Sequence, residues 1–111
     1  LNNLGLHDVP VKNIDIDFEN QEIHIVIFLY NEDKKDYDVF KLSFQKVESI
    51  KMSECEMSFN KGFEGTDVEI YSHQTIQNGD MYETNFLFLL GFGQRDMELS
   101  FIHGNFAMQK L

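Results

Sequence analysis

The stretch Glu22-Ile23-His24-Ile25-Val26-Ile27-Phe28-Leu29-Tyr30 decides the fold class. Isoleucines and a leucine occupy every second position, so one face of an extended chain is wholly aliphatic and the other is mixed. Ile14, Ile16 and Phe18 repeat the pattern upstream, alternating with Asp15 and Asp17, and Phe40, Leu42 and Phe44 repeat it downstream. β-Branched and aromatic residues fill these runs and turn formers separate them, which is the signature of strands. No stretch of eleven residues carries a helical i, i+3, i+4, i+7 stripe.

Register follows from the turns. A turn at Asn20-Gln21 sets Phe18 opposite Ile23, Ile16 opposite Ile25 and Ile14 opposite Ile27. A loop over residues 31–36 sets Ile27, Ile25 and Ile23 opposite Phe40, Leu42 and Phe44. One apolar face then runs through a three-stranded meander. In the second half Asn78-Gly79 reads as a two-residue hairpin turn, pairing Val68 with Leu89, Ile70 with Leu87 and Tyr71 with Phe86. Gly93-Gln94 reads as another, pairing Phe86 with Phe101, Phe88 with Leu99 and Leu90 with Met97. A last turn at Gly104-Asn105 sets Phe101 opposite Met108. Residues 85–90 are apolar on both faces and belong in the centre of their meander. A fourth strand near residues 48–53 and an irregular loop over 54–66 join the halves. Two one-sided meanders bury their faces by stacking, so the expected architecture is an all-β antiparallel sandwich or partly open barrel.

The chain has 111 residues, one domain's length, taken as 1–111. Its 42% apolar residues, with 11 Phe and 4 Tyr, make a core without disulfides, and a single Cys excludes a disulfide framework or a paired-cysteine zinc site. Asp and Glu number 19 against 9 Lys and Arg, a net charge of −10 spread over both halves. Nucleic acid and anionic membranes both select for basic excess and are therefore excluded as partners. Residues 1–10 lack the basic and apolar segments of a signal peptide, and the single unpaired Cys fits a reducing compartment, so the default is the cytoplasm. The chain opens on Leu, which leaves room for an upstream segment removed in processing.

Few residues carry chemistry. The register sets Asp17 opposite His24 on the face away from the core, with Asp15 beside them. A carboxylate against an imidazole can hold a tautomer for general-base work or orient a metal ligand, or form an ordinary surface pair; no nucleophile accompanies it. His73 and His103 fall to either side of Thr84 and read as solvent-facing hairpin histidines. Cys55, flanked by Glu54 and Glu56, reads as an idle thiol. Gly91-Phe92-Gly93 reads as a turn, not a phosphate loop. Phe28, Tyr30, Tyr37 and Phe92 have no obvious buried place, nor do Phe59 and Phe63, and they are either covered internally or form a contact patch for a protein partner.

Leu6-His7-Asp8, Val11, Ile14, Ile16-Asp17, Ile23-x-Ile25 and Phe44-x-x-Val47-x-x-Ile50 together resemble the opening of small bacterial β-rich domains. Several of these are families of unknown function, and some are similar to immunity proteins of polymorphic toxin systems. The resemblance covers about the first 50 residues and implies binding rather than catalysis, with no site to transfer. The expectation is a non-enzymatic acidic domain that binds a cationic protein, as an immunity-type inhibitor of a basic toxin, and needs no cofactor. A small-ligand or metal module using Asp15, Asp17 and His24 is the second reading, and a homodimer through the Phe28–Tyr30 face is the third.

Overall fold

The computed structural model describes residues 2–53, 68–89 and 96–111, and these are all-β. Eight antiparallel strands form one sheet: β1 (Val9–Asp17), β2 (Glu22–Asn31), β3 (Asp36–Phe44), β4 (Glu48–Met52), β5 (Glu69–Asn78), β6 (Met81–Leu89), β7 (Met97–His103) and β8 (Phe106–Lys110). Their order across the sheet is β4-β7-β6-β5-β1-β2-β3-β8, with β4 and β8 at the edges, so the sheet is not closed into a barrel. In the sheet the two halves join through β1 and β5, where Val9 and Pro10 pair with Ile70 and Glu69. Among the described residues no helix is long and apolar enough to cross a membrane.

The sheet folds over on itself. The Phe44 ring of β3 lies 6.0 Å from Phe86 and 4.9 Å from Phe101, although β6 and β7 are several strands away in the sheet. Ile23, Ile25, Ile27 and Leu42 line one layer, and Ile70, Phe88, Met97 and Leu99 line the other, all fully buried. Burying aliphatic and aromatic side chains of this size contributes about 1.5–3 kcal/mol each, which is what holds two one-sided layers together.

The β2–β3 pairing is the expected one, Ile23 to Phe44, Ile25 to Leu42 and Ile27 to Phe40. β6 is central, between β5 and β7, as its two apolar faces require. Three other registers differ from expectation by two residues over most of their length; β5–β6 differs by one at Glu69 and Ile70, before its bulge. In β1–β2, Ile16 pairs with Ile23 and Ile14 with Ile25. Asp17 closes a four-residue loop by accepting from the backbone N–H and side-chain amide of Asn20, and Gln21 takes φ 55°. Phe18 is thereby moved from the core to the loop tip, where it is 77% exposed. In β5–β6 the turn residues are Gly79-Asp80, with only Gly79 at positive φ, the pattern of a type II′ turn. In β6–β7, Phe86 pairs with Leu99 and Phe88 with Met97. The turn read at Gly93-Gln94 lies outside the described residues, as do Cys55, Phe59, Phe63 and Phe92.

Two bulges reconcile the apolar pattern with a flat ladder. In β1, Val9 and Val11 are buried while the next apolar positions are Ile14 and Ile16, a change of parity. The irregularity between Val11 and Asn13 absorbs the extra residue and keeps both pairs facing inward. The irregularity between Ile70 and Ser72 does the same for β5 and leaves Tyr71 outside.

The expected hairpin at Gly104-Asn105 is absent. β8 pairs with β3, placing Phe106 beside Phe44 and Met108 beside Leu42 rather than Phe101. The free edge of β7 is already taken by β4, so the chain after His103 turns across to the other layer. The Gly104 N–H donates to the Gln45 carbonyl and the Gln45 N–H donates to the Asn105 carbonyl, tying this crossing to the β3–β4 connection.

Candidate functional site

The outward face of β1-β2-β3-β8 carries most of the residues singled out above. Its two ends differ in chemistry. At one end lie Asp15, Glu22, His24 and Ser43; at the other lie Pro10, Phe28, Tyr30, Tyr37 and Val39. Phe28 is four residue steps along β2 from His24, about 13 Å.

At the polar end, Asp15 rather than Asp17 faces His24 in the ladder, because of the two-residue shift. Asp17 belongs to the turn, where the Asn20 side chain and backbone hold its carboxyl below the ordinary carboxylate range. His24 Nδ1 lies 3.0 Å from Ser43 Oγ, and its Nε2 lies 3.4 Å from a Glu22 oxygen. A hydroxyl, an imidazole and a carboxylate are thus in line, and the expectation that no nucleophile stands near His24 is corrected. Hydrolysis needs more than this row. In an antiparallel ladder the N–H groups lie in the plane of the sheet, perpendicular to the side chains. None is aimed above the face at the oxygen of an acyl group beside Ser43. Among the described residues no three His, Cys, Asp or Glu side chains converge for a metal ion.

At the aromatic end, Tyr30 and Tyr37 are directly opposite in the ladder and Phe28 is opposite Val39. The Tyr37 ring stands edge-to-face against both neighbours, 5.3 Å from Tyr30 at 71° and 6.3 Å from Phe28 at 80°. Tyr30 is 54% exposed and Tyr37 51%, while Phe28 is half-buried. Beside Tyr37 is an open groove of about 470 Å³ lined by Pro10, Phe28, Asp36, Tyr37 and Val39. Pro10, Asp36 and Val39 are the members that sequence reading missed. Val39 was legible from the register, since it is opposite Phe28, whereas Pro10 arrives only through the bend of β1.

His73 and His103 point inward, not to solvent. His73 Nε2 lies 3.0 Å from the Leu4 carbonyl, under the N-terminal segment. That segment also ties Asn2 to the backbone of Thr75 in both directions. His103 is 2% exposed, ringed by Phe44, Phe101 and Tyr82. Its Nδ1–H donates to the Gly104 carbonyl, since a carbonyl only accepts. Nε2 therefore accepts from the Thr84 hydroxyl at 2.7 Å, and Thr84 accepts from Thr75 at 2.9 Å. Burial holds the His103 pKa below the ordinary imidazole value, against the opposing pull of the Gly104 bond. Beside this hydrogen-bonded row a cleft of about 790 Å³, of mixed polar and apolar lining, opens between Lys46, Thr75, Asp80, Tyr82 and His103.

No known family model matches the chain, and no curated protein is significantly similar to it.

Proposed function

We propose that this domain is a non-enzymatic protein-binding module that engages a cationic partner through the outward face of β2 and β3. The observation that carries this reading is the exposed pair Tyr30 and Tyr37, crossed edge-to-face with each other, and Tyr37 also with half-buried Phe28, on a two-strand ladder. Exposed tyrosines give large contact area at little entropic cost and are typical anchors of protein interfaces. The net charge of −10 speeds encounter with a basic protein and repels acidic ones. Carboxylates lie along this face at its polar end, Asp15 and Glu22, and Asp36 stands at the start of β3 beside Tyr37. The narrower reading, an immunity-type inhibitor of a basic toxin, rests on this charge and on the resemblance of the first 50 residues.

Affinity capture with the folded domain tests the reading, run in parallel with a Tyr30→Ser/Tyr37→Ser variant. The expected result is one stoichiometric basic protein, released as salt is raised and absent with the variant. Equal capture by both baits would remove this face from the function. Recovery of the domain alone, with a dimer mass in solution that the variant abolishes, would assign the face to a homodimer.

A further inference from the structure

We infer that the groove beside Tyr37 receives one arginine side chain of the protein partner, an assignment that rests on the protein-binding reading above. Four of the five lining residues, Pro10, Phe28, Tyr37 and Val39, offer hydrocarbon or aromatic ring. The fifth, Asp36, is the only charged one. Its Oδ1 accepts from the Tyr37 N–H at 2.7 Å, which holds the carboxylate at the start of β3, on the rim of the groove. Among the described residues Asp36 has no ion-pair partner. Asp38, two positions on, makes the contrast: it pairs with Lys34 of the loop at 2.8 Å and with Lys110 of β8 at 3.6 Å, and accepts from the Asn31 amide, while Asp36 acts on Lys34 only through its field.

An apolar groove with a carboxylate on its rim that has no ion-pair partner among the described residues discriminates among occupants. A neutral aliphatic side chain would desolvate Asp36 without pairing it, at a cost that cancels the gain from apolar contact. An anion is repelled. A cation pairs with Asp36 and lies against ring faces, whose quadrupole is negative. Tyr37 stands nearly perpendicular to Phe28, so the two rings present walls in two directions. Arginine fits better than lysine because its guanidinium is planar, weakly hydrated, and able to stack on a ring while donating to a carboxylate. Its methylenes have Pro10 and Val39 to pack on.

The test is an amide-resolved NMR titration of the folded domain with acetyl-Gly-Arg-Gly-amide, against the same peptide carrying citrulline. Citrulline keeps the shape and removes the charge. The expected outcome is movement of the Phe28, Asp36, Tyr37 and Val39 amides at millimolar peptide, with the citrulline peptide about fivefold weaker. Asp36→Asn, which retains the oxygen that accepts from Tyr37, should weaken the arginine peptide by a similar factor. Equal binding of both peptides, no movement in the groove, or movement confined to residues 15–24 would overturn the assignment. So would a wild-type dimer that dissociates on Tyr37→Ser, since a second copy would then cover the groove. The titration needs no partner, so its failure is separable from failure of the protein-binding reading. A basic partner that Asp36→Asn still captures at full affinity, alongside a silent titration, would sink the groove and leave the face.

Discussion

Thr84 donates a 2.7 Å hydrogen bond to Nε2 of His103 inside a nest of aromatic rings, which gives a neutral imidazole a partner within the core. The folded protein holds the His103 pKa down, mainly by burial. The unfolded chain therefore takes up this proton first as pH falls. Stability from this group is complete above the ordinary histidine value near 6.5 and declines below it until the folded pKa is passed. The slope for one proton is at most about 1.4 kcal/mol per pH unit. Urea midpoints measured from pH 7.5 down to 5 should fall for the wild type and fall less steeply for His103→Gln. Parallel curves would mean that His103 does not titrate differently on folding.

Asp38 has the opposite sign. Lys34 first, and Asn31 after it, lower its carboxyl from 3.8 to about 2. The stabilisation is present above 3.8 and is lost as pH falls toward 2. Asp38→Asn should lower the melting temperature at pH 7, with the gap to wild type closing in acid and narrowing in high salt. A gap independent of pH would point to lost packing and not to charge.

The register of β1 against β2 predicts two unlike phenylalanines. Phe44 is fully buried between the layers, and its replacement by Ala should cost about 3–5 kcal/mol. Phe18 sits at the loop tip, and Phe18→Ser should change stability by less than about 0.5 kcal/mol. Chemical denaturation of both variants checks this. A Phe18→Ser cost comparable to that of a core residue would restore the pairing of Phe18 with Ile23.

Gly79 holds φ 64° in the β5–β6 turn, and a Cβ there meets no atom within 4 Å. Conformation alone sets the cost of Gly79→Ala, about 1–2 kcal/mol. Gly79→Asn should cost less, because Asn tolerates the left-handed region better. Equal costs would mean that the turn relaxes around either side chain.

How much was legible beforehand differs between elements. The β2–β3 ladder, the central place of β6 and the strand at Glu48–Met52 all follow from alternation and turn residues. At the candidate site, Phe28, Tyr30 and Tyr37 share one face because their parity in a known register requires it. Asp15 and Asp17 also follow parity, but which of them meets His24 depended on the length of one loop. Asp36 and Pro10 were invisible as site residues, since a strand's first residue and a proline near a bulge carry no period.

Alternation determined the strands and the face each side chain takes, because a one-residue slip would turn every isoleucine of β2 into water. It did not determine registers, since a slip of two restores every face and leaves the pattern unchanged. Those were decided by Asp17 capping its turn on Asn20 and by Gly79 taking positive φ. Nor did it determine that β8 crosses to β3. Two strands compete for the edge of β7, and only the assembled sheet shows that β4 holds it. The destination of His103 was decided in the same way. Its sequence neighbours place it at a strand end, whereas the crossing at Gly104 and the Phe44 ring from the opposite layer bury it.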